Sequence, residues 1–376
     1  MVALPCFLSC SRQQSGRAFP NADALYATGD SILNLADEYS DSIAIRYARG
    51  LKVSYCNDSI HILVCNPDPA AAANAPQELV VPSGERRSPA RFICTTALQL
   101  GNFEVLGLED RIVGINRLKN LFSPTVKRQL EEGSTVLIGK EGDFDIELIL
   151  AAHPDYVFVS ATKHGGFESI RQSGIPFIVH YGYKETDPLG QAEWIKLVGL
   201  LTGEPRRANA VFSDIERHYL RLKAEVEHVK DTTAVLPTVA SGRQVRDGWY
   251  VVGGKSYMAQ LFRDAGAVYV MGDNDDSGGR TLDFEAAYAR SVHADFWQID
   301  GAYRGDYTLR TLADEDPRYA TLDAYQSHRV LFCNFSRTPY RELAGVQPHV
   351  VLADFVKAFH PELLPGYVPR YYKLID

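Results

Sequence analysis

Strand–helix alternation, a phrase repeated in both halves and one uninterrupted helix mark this chain as α/β: two Rossmann-like lobes bridged by a single long helix. An additional N-terminal antiparallel β segment precedes them. The repeated phrase is Asp145-Ile146-Glu147, a short apolar run, then Pro154 to Ser160; it returns as Asp283-Phe284-Glu285, a similar run, then Ala294 to Ile299. Each copy reads as a helix opened by an acidic cap and followed by a buried strand. Between the copies, Arg206 to Lys230 contains neither Gly nor Pro, and Ala210, Ile215, Tyr219, Leu222 and Val226 keep roughly helical spacing. Such a helix spans roughly 40 Å at about 1.5 Å per residue, long enough to cross between two lobes. From Arg91 onward, short apolar strands separated by helices imply parallel sheets covered on both faces.

The expected partition is a signal remnant and flexible lead over 1–40, an N-terminal α/β lobe with a β-hairpin extension over 41–204, the linking helix over 205–231, and a C-terminal α/β lobe over 232–376. A chain of 376 residues is large for one core and comfortable for two. A net charge of −8 offers no basic stripe for nucleic acid. Twenty Tyr and 17 Phe against three Trp suit a recognition surface with rings and hydroxyls.

The lead is apolar up to Cys10 and polar just after it, which resembles the tail of a bacterial lipoprotein signal with Cys10 as the lipidated residue. It departs from that pattern in having Phe7 three residues before Cys10, no basic stretch and a short apolar run. No run approaches the ~20 apolar residues of a membrane-spanning helix.

Residues 42–66 alternate around a turn at Asn57-Asp58-Ser59 and read as antiparallel strands. That turn sets Cys56 opposite about Ile60, so Cys56 and Cys65 do not face each other and no disulfide is expected. Residues 67–76 read as a linker. The first lobe then reads as strand 92–95, helix 97–106, strand 111–115, a helix from Ser123-Pro124 to Glu132, strand 136–138, the Asp-Ile-Glu helix, strand 156–160, helix 167–173 and strand 176–179. Residues 188–230 are helical, broken near Thr202 to Pro205. The second lobe reads as strand 233–236, helix 256–265, strand 267–270, the Asp-Phe-Glu helix, strands 295–299 and 330–333, and a helix from about Val351 to Phe359. The aromatic tail Tyr367 to Asp376 is expected to pack back on the body.

Several motifs fall short of the chemistry they suggest. Gly253-Gly254-Lys255-Ser256 lacks the earlier glycine of a phosphate-binding loop, whose place is held by Trp249, and reads instead as a loop and helix cap. Asp273 to Gly278 resembles half a calcium loop, but position 12 is Phe284 rather than Glu, leaving a solvated acidic turn. The ten histidines form no metal-binding pair; His164 and His180 follow strands, where ligands of open sheets bind. No nucleophile elbow or dinucleotide fingerprint is present. The doubled Asp-x-Glu has two readings: helix-capping chemistry, or two exposed acidic knobs for a partner's Arg.

Gly101 to Gly114, Glu147 to Asp155, Trp249 to Gly266 and His360 to Leu364 give the chain a resemblance, from about Arg91 to Pro365, to ABC-transporter substrate-binding proteins that carry cobalamin, haem and ferric siderophores. The resemblance implies a non-enzymatic, monomeric periplasmic protein, lipid-anchored at Cys10, that delivers cargo to a permease and ATPase complex. It implies that Glu147 and Glu285 dock the permease and that cargo lies between the lobes. The candidate contacts are Thr96, Lys163, His164, Tyr181, Tyr183, Trp249, Tyr250, Tyr303, Arg304, Arg337 and Tyr340. No cofactor is implied. A ferric siderophore leads cobalamin and haem as cargo: Arg304, Arg337 or Lys163 would meet carboxylates or a chelate's negative charge, aromatic faces a corrin or porphyrin, and Tyr or His a haem iron. The alternative is a metal-centre enzyme on the same two-lobed fold, with Cys94 and Cys333 as ligands, one from each half.

Overall fold

The computed structural model describes residues 36–376 except 69–74, 84–89, 117–118, 141–142, 161–166, 233–234 and 247. Three strands come first, β1 (Leu51–Cys56), β2 (Ser59–Val64) and β3 (Gln77–Pro82), in one antiparallel sheet. Asn57 takes a φ of 47°, which Asn tolerates, so a two-residue turn closes β1 on β2. Cys56 therefore pairs with Ser59 rather than Ile60. Cys56 and Cys65 are free.

Residues 42–50 are not the expected strand. Their backbone donors meet side-chain carboxylates instead of a ladder. Glu193 accepts from the N–H groups of Arg46, Tyr47 and Ala48, and Glu185 from those of Arg49 and Gly50. Glu193 is wholly buried and paired with Lys196 at 2.8 Å; Lys196 also donates to the Ala44 carbonyl.

The first lobe contains β4 (Phe92–Cys94), α1 (Ala97–Glu104), β5 (Ile112–Ile115), α2 (Pro124–Glu132), β6 (Val136–Leu137), the paired β7 (Gly139–Lys140) and β8 (Asp143–Phe144), α3 (Ile146–Ala151), β9 (Tyr156–Val159), α4 (Phe167–Gln172) and β10 (Phe177–Val179). Its parallel sheet runs β10-β9-β4-β5-β6. Strand alternation divides the core. Phe92, Cys94 and Phe158 join the large core, while Ile93, Val113, Val157 and Val159 pack on the opposite side with Ile149 of α3 and Ile170 of α4. At the β10 edge, the Gln77 amide donates to the Phe177 carbonyl and accepts from Val179 N–H. One side chain thus makes the bonds of a neighbouring strand and covers an otherwise open edge.

Helices α5 (Pro188–Ala192) and α6 (Ile195–Thr202) lead to α7 (Pro205–Thr232), the long linking helix. Gly203, at a φ of 73°, ends α6 in the left-handed conformation that glycine adopts freely. Near its start, α7 holds the N-terminal strap, with Arg206 on Asp41 at 2.7 Å and Glu216 accepting from the Tyr47 hydroxyl at 2.6 Å.

The second lobe contains β11 (Thr238–Ser241), β12 (Arg243–Val245), β13 (Gly248–Val252), α8 (Tyr257–Asp264), β14 (Val268–Tyr269), β15 (Gly279–Leu282), α9 (Phe284–Ser291), β16 (Phe296–Gly301), α10 (Leu309–Glu315), α11 (Asp323–Gln326), β17 (Val330–Asn334), α12 (Tyr340–Leu343), α13 (Pro348–Phe359) and β18 (Tyr372–Leu374). The main sheet runs β14-β11-β16-β17-β18 and is parallel except for β18. The strand expected over 233–236 begins at Thr238 instead. Pro237 has no N–H for a ladder, Val235 is exposed, and residues 233–234 lie outside the described residues. A small antiparallel sheet, β12-β13-β15, was not anticipated.

The tail does pack back. Buried Asp354 accepts from the Tyr367 hydroxyl and from the N–H groups of Arg370, Tyr371 and Tyr372, which seats β18. Helix α7 is tied to this lobe by Tyr219 and Lys223, both bonded to Asp264. Directly between the lobes, α1 lies against α12. A Cβ on Gly101 would stand 1.8 Å from the Glu342 carbonyl oxygen, so only glycine permits this approach. The Glu342 carboxylate accepts from Phe122 and Ser123 N–H, and Asn120 donates to the Phe335 carbonyl.

Replacing Glu193 with Ala removes the acceptor of three backbone donors and strands Lys196 in the interior. The expected loss is about 4 kcal/mol of unfolding free energy, measured by urea denaturation; a loss under about 1 kcal/mol would show the strap is held by other means.

Candidate functional site

The carboxyl ends of the two parallel sheets are brought together by the α1–α12 seam and the Asn120–Phe335 bond. In open α/β sheets ligands bind at such ends. Among the described residues, polar groups of the first lobe stand there, with Lys119 exposed just after the end of β5. Thr96, half-exposed, caps α1 at the end of β4, and Gln99 accepts from Thr95 and Thr96 N–H. Asn116, buried at the end of β5, donates to the Thr95 carbonyl. Lys163 and His164 lie outside the described residues.

The second lobe offers cations and rings. Tyr303 follows β16, with its ring edge-on to Tyr307 at 5.1 Å between centroids. Asn334, the last residue of β17, clamps the Tyr303 backbone: Oδ1 accepts from Tyr303 N–H at 3.2 Å and Nδ2 donates to its carbonyl at 3.0 Å. The same Oδ1 accepts from Ser336 N–H, so one amide joins the two strand-end loops. Arg304 is exposed and, among the described residues, has no ion pair. Arg337 is exposed and paired with Asp306. Beneath them Arg243, half-buried, donates to the Tyr307 hydroxyl and pairs with Glu315. Burial raises the Asp300 carboxyl, and nearby Arg243 draws it back down. Asn334 was missed by the sequence reading; a lone Asn after a strand carries no signal of a two-sided clamp.

Four expected contacts are placed elsewhere. Trp249 is a core residue: it is wholly buried, packs on Trp297, Phe284 and Tyr319, and donates its indole N–H to the Ser241 carbonyl. Strand alternation on β13 turns its neighbour Tyr250 outward, where it is 48% exposed. Tyr340 is buried in the second lobe, stacked on Phe335 and bonded to the Tyr257 and Tyr372 hydroxyls. Tyr181 is buried on the side of the N-terminal segment, near Cys65, and Tyr183 is half-buried beside it, with Lys184 over its ring. His180 stands at a strand end but is packed against Phe158 and Trp194, and burial lowers its pKa to about 3, leaving it neutral.

The remaining motifs take their plainer readings. Ser256 caps α8 by accepting from Ala259 N–H. Asp273, Asp275 and Asp276 pair with Arg290, Lys255 and Arg280. Cys94 and Cys333 are buried strand thiols whose ionisation burial pushes up strongly. No helix among the described residues is long and apolar enough to cross a membrane. Glu147 and Glu285 occupy equivalent places: each is exposed in the first turn of a helix whose N-cap, Asp145 or Asp283, accepts from the N–H three residues on.

Residues 93–336 match the family model described as periplasmic binding protein. Among curated proteins, an uncharacterized lipoprotein of Methanocaldococcus jannaschii is 25% identical over 285 residues, covering 73% of this chain and 66% of the relative, just under two thirds of its length. A periplasmic haem-binding protein from Pseudomonas aeruginosa superposes with a TM-score of 0.58 at 20% identity, covering 77% of this chain and 99% of that chain. An ABC-type Fe3+-hydroxamate transport protein from Saccharomonospora viridis superposes at 0.55 with 17% identity, covering 75% and 96%. With two α/β lobes bridged by α7, the chain belongs to the periplasmic binding protein family.

Proposed function

We propose that the protein captures an anionic iron chelate or tetrapyrrole between its lobes and hands it to an ABC permease, outside the membrane and held there by a lipid anchor. The observation that carries the cargo reading is the rim of Tyr303, Arg304 and Arg337, fixed by Asn334 at the strand ends of the second lobe. Two guanidinium groups beside aromatic rings suit a flat or chelated ligand bearing carboxylates. The exposed cations favour a ferric siderophore over cobalamin, which lacks that negative charge. Names of similar proteins, a haem binder and an Fe3+-hydroxamate transport protein, support the class. The buried, un-ionised Cys94 and Cys333 thiols support transport rather than a cleft metal centre.

Titrating the ligand-free protein with ferric hydroxamate and ferric catecholate siderophores, hemin and cobalamin, with intrinsic fluorescence as readout, is expected to give submicromolar binding to one anionic class. Arg304→Ala and Arg337→Ala are each expected to weaken it about tenfold, roughly 1.4 kcal/mol. Tight binding of cobalamin alone would overturn the anionic reading.

Docking is assigned to Glu147 and Glu285, whose matched exposure on the two lobes fits one Arg-bearing pocket on each permease subunit. The double replacement Glu147→Arg and Glu285→Arg is expected to leave cargo affinity unchanged and to abolish uptake in cells carrying the cognate permease. Undiminished uptake would exclude these glutamates from docking.

A further inference from the structure

The seam between the lobes contains two carboxyl groups, one from each side. Glu342 of α12 is buried and satisfied by Phe122 and Ser123 N–H. Glu104, at the end of α1, is not satisfied: its Oε2 is buried and has no hydrogen-bond partner among the described residues. An unpartnered carboxyl oxygen in that position costs far more when charged than when the carboxyl is protonated. We propose that this seam is a proton-operated latch, in which Glu104 must hold a proton for α1 and α12 to stay fully in contact.

The charged surroundings act in the same direction. Burial, then Glu342, then Glu109 of the 3-10 turn Glu109–Arg111 raise the Glu104 carboxyl to about 7, against a weaker opposing pull from Arg370 of the C-terminal segment. The Arg370 guanidinium donates to Gln347. Tyr371, next to it, is held neutral by burial. Burial raises the Glu342 carboxyl as well, against the opposing pull of its two backbone donors and of Lys127 of α2. Protonating Glu104 therefore relieves a like-charge contact across the seam without disturbing the Glu342 bonds.

The sign follows. When the seam opens, Glu104 returns to water and to an ordinary carboxyl value near 4.5. The closed seam binds the proton more tightly than the open one, so closure is favoured below about pH 7 and weakened as pH rises through that value. Opening is expected to become about tenfold easier between pH 6 and pH 8. The latch concerns the seam itself and is independent of which cargo the cleft takes.

Amide hydrogen exchange on the full chain tests it, with rates corrected for the intrinsic effect of pH. In the wild type, protection over 97–104 and 340–347 should fall about tenfold from pH 6 to pH 8, while the interior of α7 stays unchanged. In Glu104→Gln the seam should be equally protected at both pH values, and in Glu109→Gln the fall should persist. A flat wild-type profile, or the same fall in Glu104→Gln, would overturn the latch. Carbon-13 NMR of the Glu104 carboxyl gives a second reading: a midpoint near 7 supports the proposal, and one near the ordinary 4.5 removes it.

Discussion

Helix α7 is the member on which the rest of the molecule is mounted, because it is bonded at both ends to different bodies. Near its start Arg206 and Glu216 hold Asp41 and Tyr47 of the strap. Further along, Tyr219 and Lys223 share Asp264 of the second lobe. Its buried stripe, Val211, Ile215, Leu222 and Val226, belongs to the large core that also takes in both sheets. A helix packed in this way does not bend freely. The helix thereby ties the N-terminal strap and the second lobe to one core.

The attachments to this frame share one device, a buried carboxylate that gathers several backbone N–H groups. Glu193 and Glu185 gather the strap, Glu342 gathers the loop before α2, and Asp354 gathers the tail. Each solves the same problem. A segment that leaves regular structure inside the protein carries donors that need acceptors. A carboxylate supplies two oxygens and can serve three or four donors, and those donors stabilise its charge in return. The consequence is sensitivity: removing one such group leaves several donors unpaired at once.

These devices explain what could be read from the amino-acid order and what could not. The caps were legible because Ser123, Asp145, Ser256 and Asp283 act on N–H groups three residues away. The strands of both main sheets were legible from apolar runs such as Tyr156 to Val159. The strap was not. Ile43 and Ile45 alternate as a strand would, but the acceptors that decide the backbone of the following residues, Glu185 and Glu193, lie 135 to 147 residues further on. Trp249 was misplaced for a related reason. Its segment looks like a loop until β15 supplies the partner that makes β13 a strand and turns the indole inward. In the site, the Tyr303, Arg304 and Arg337 types were visible as candidates, while the Asn334 clamp that unites them depends on two strands lying side by side.

Among the described residues, the two sides of the cleft present different groups. One side presents Thr96, Gln99 and Asn116, neutral groups already engaged in holding their own backbone. The other presents Arg304 and Arg337 on loops fixed by Asn334. Selectivity starts from the groups that already stand at the gap. Among the described residues, Arg304 and Arg337 stand on one side, and Thr96, Gln99 and Asn116 on the other.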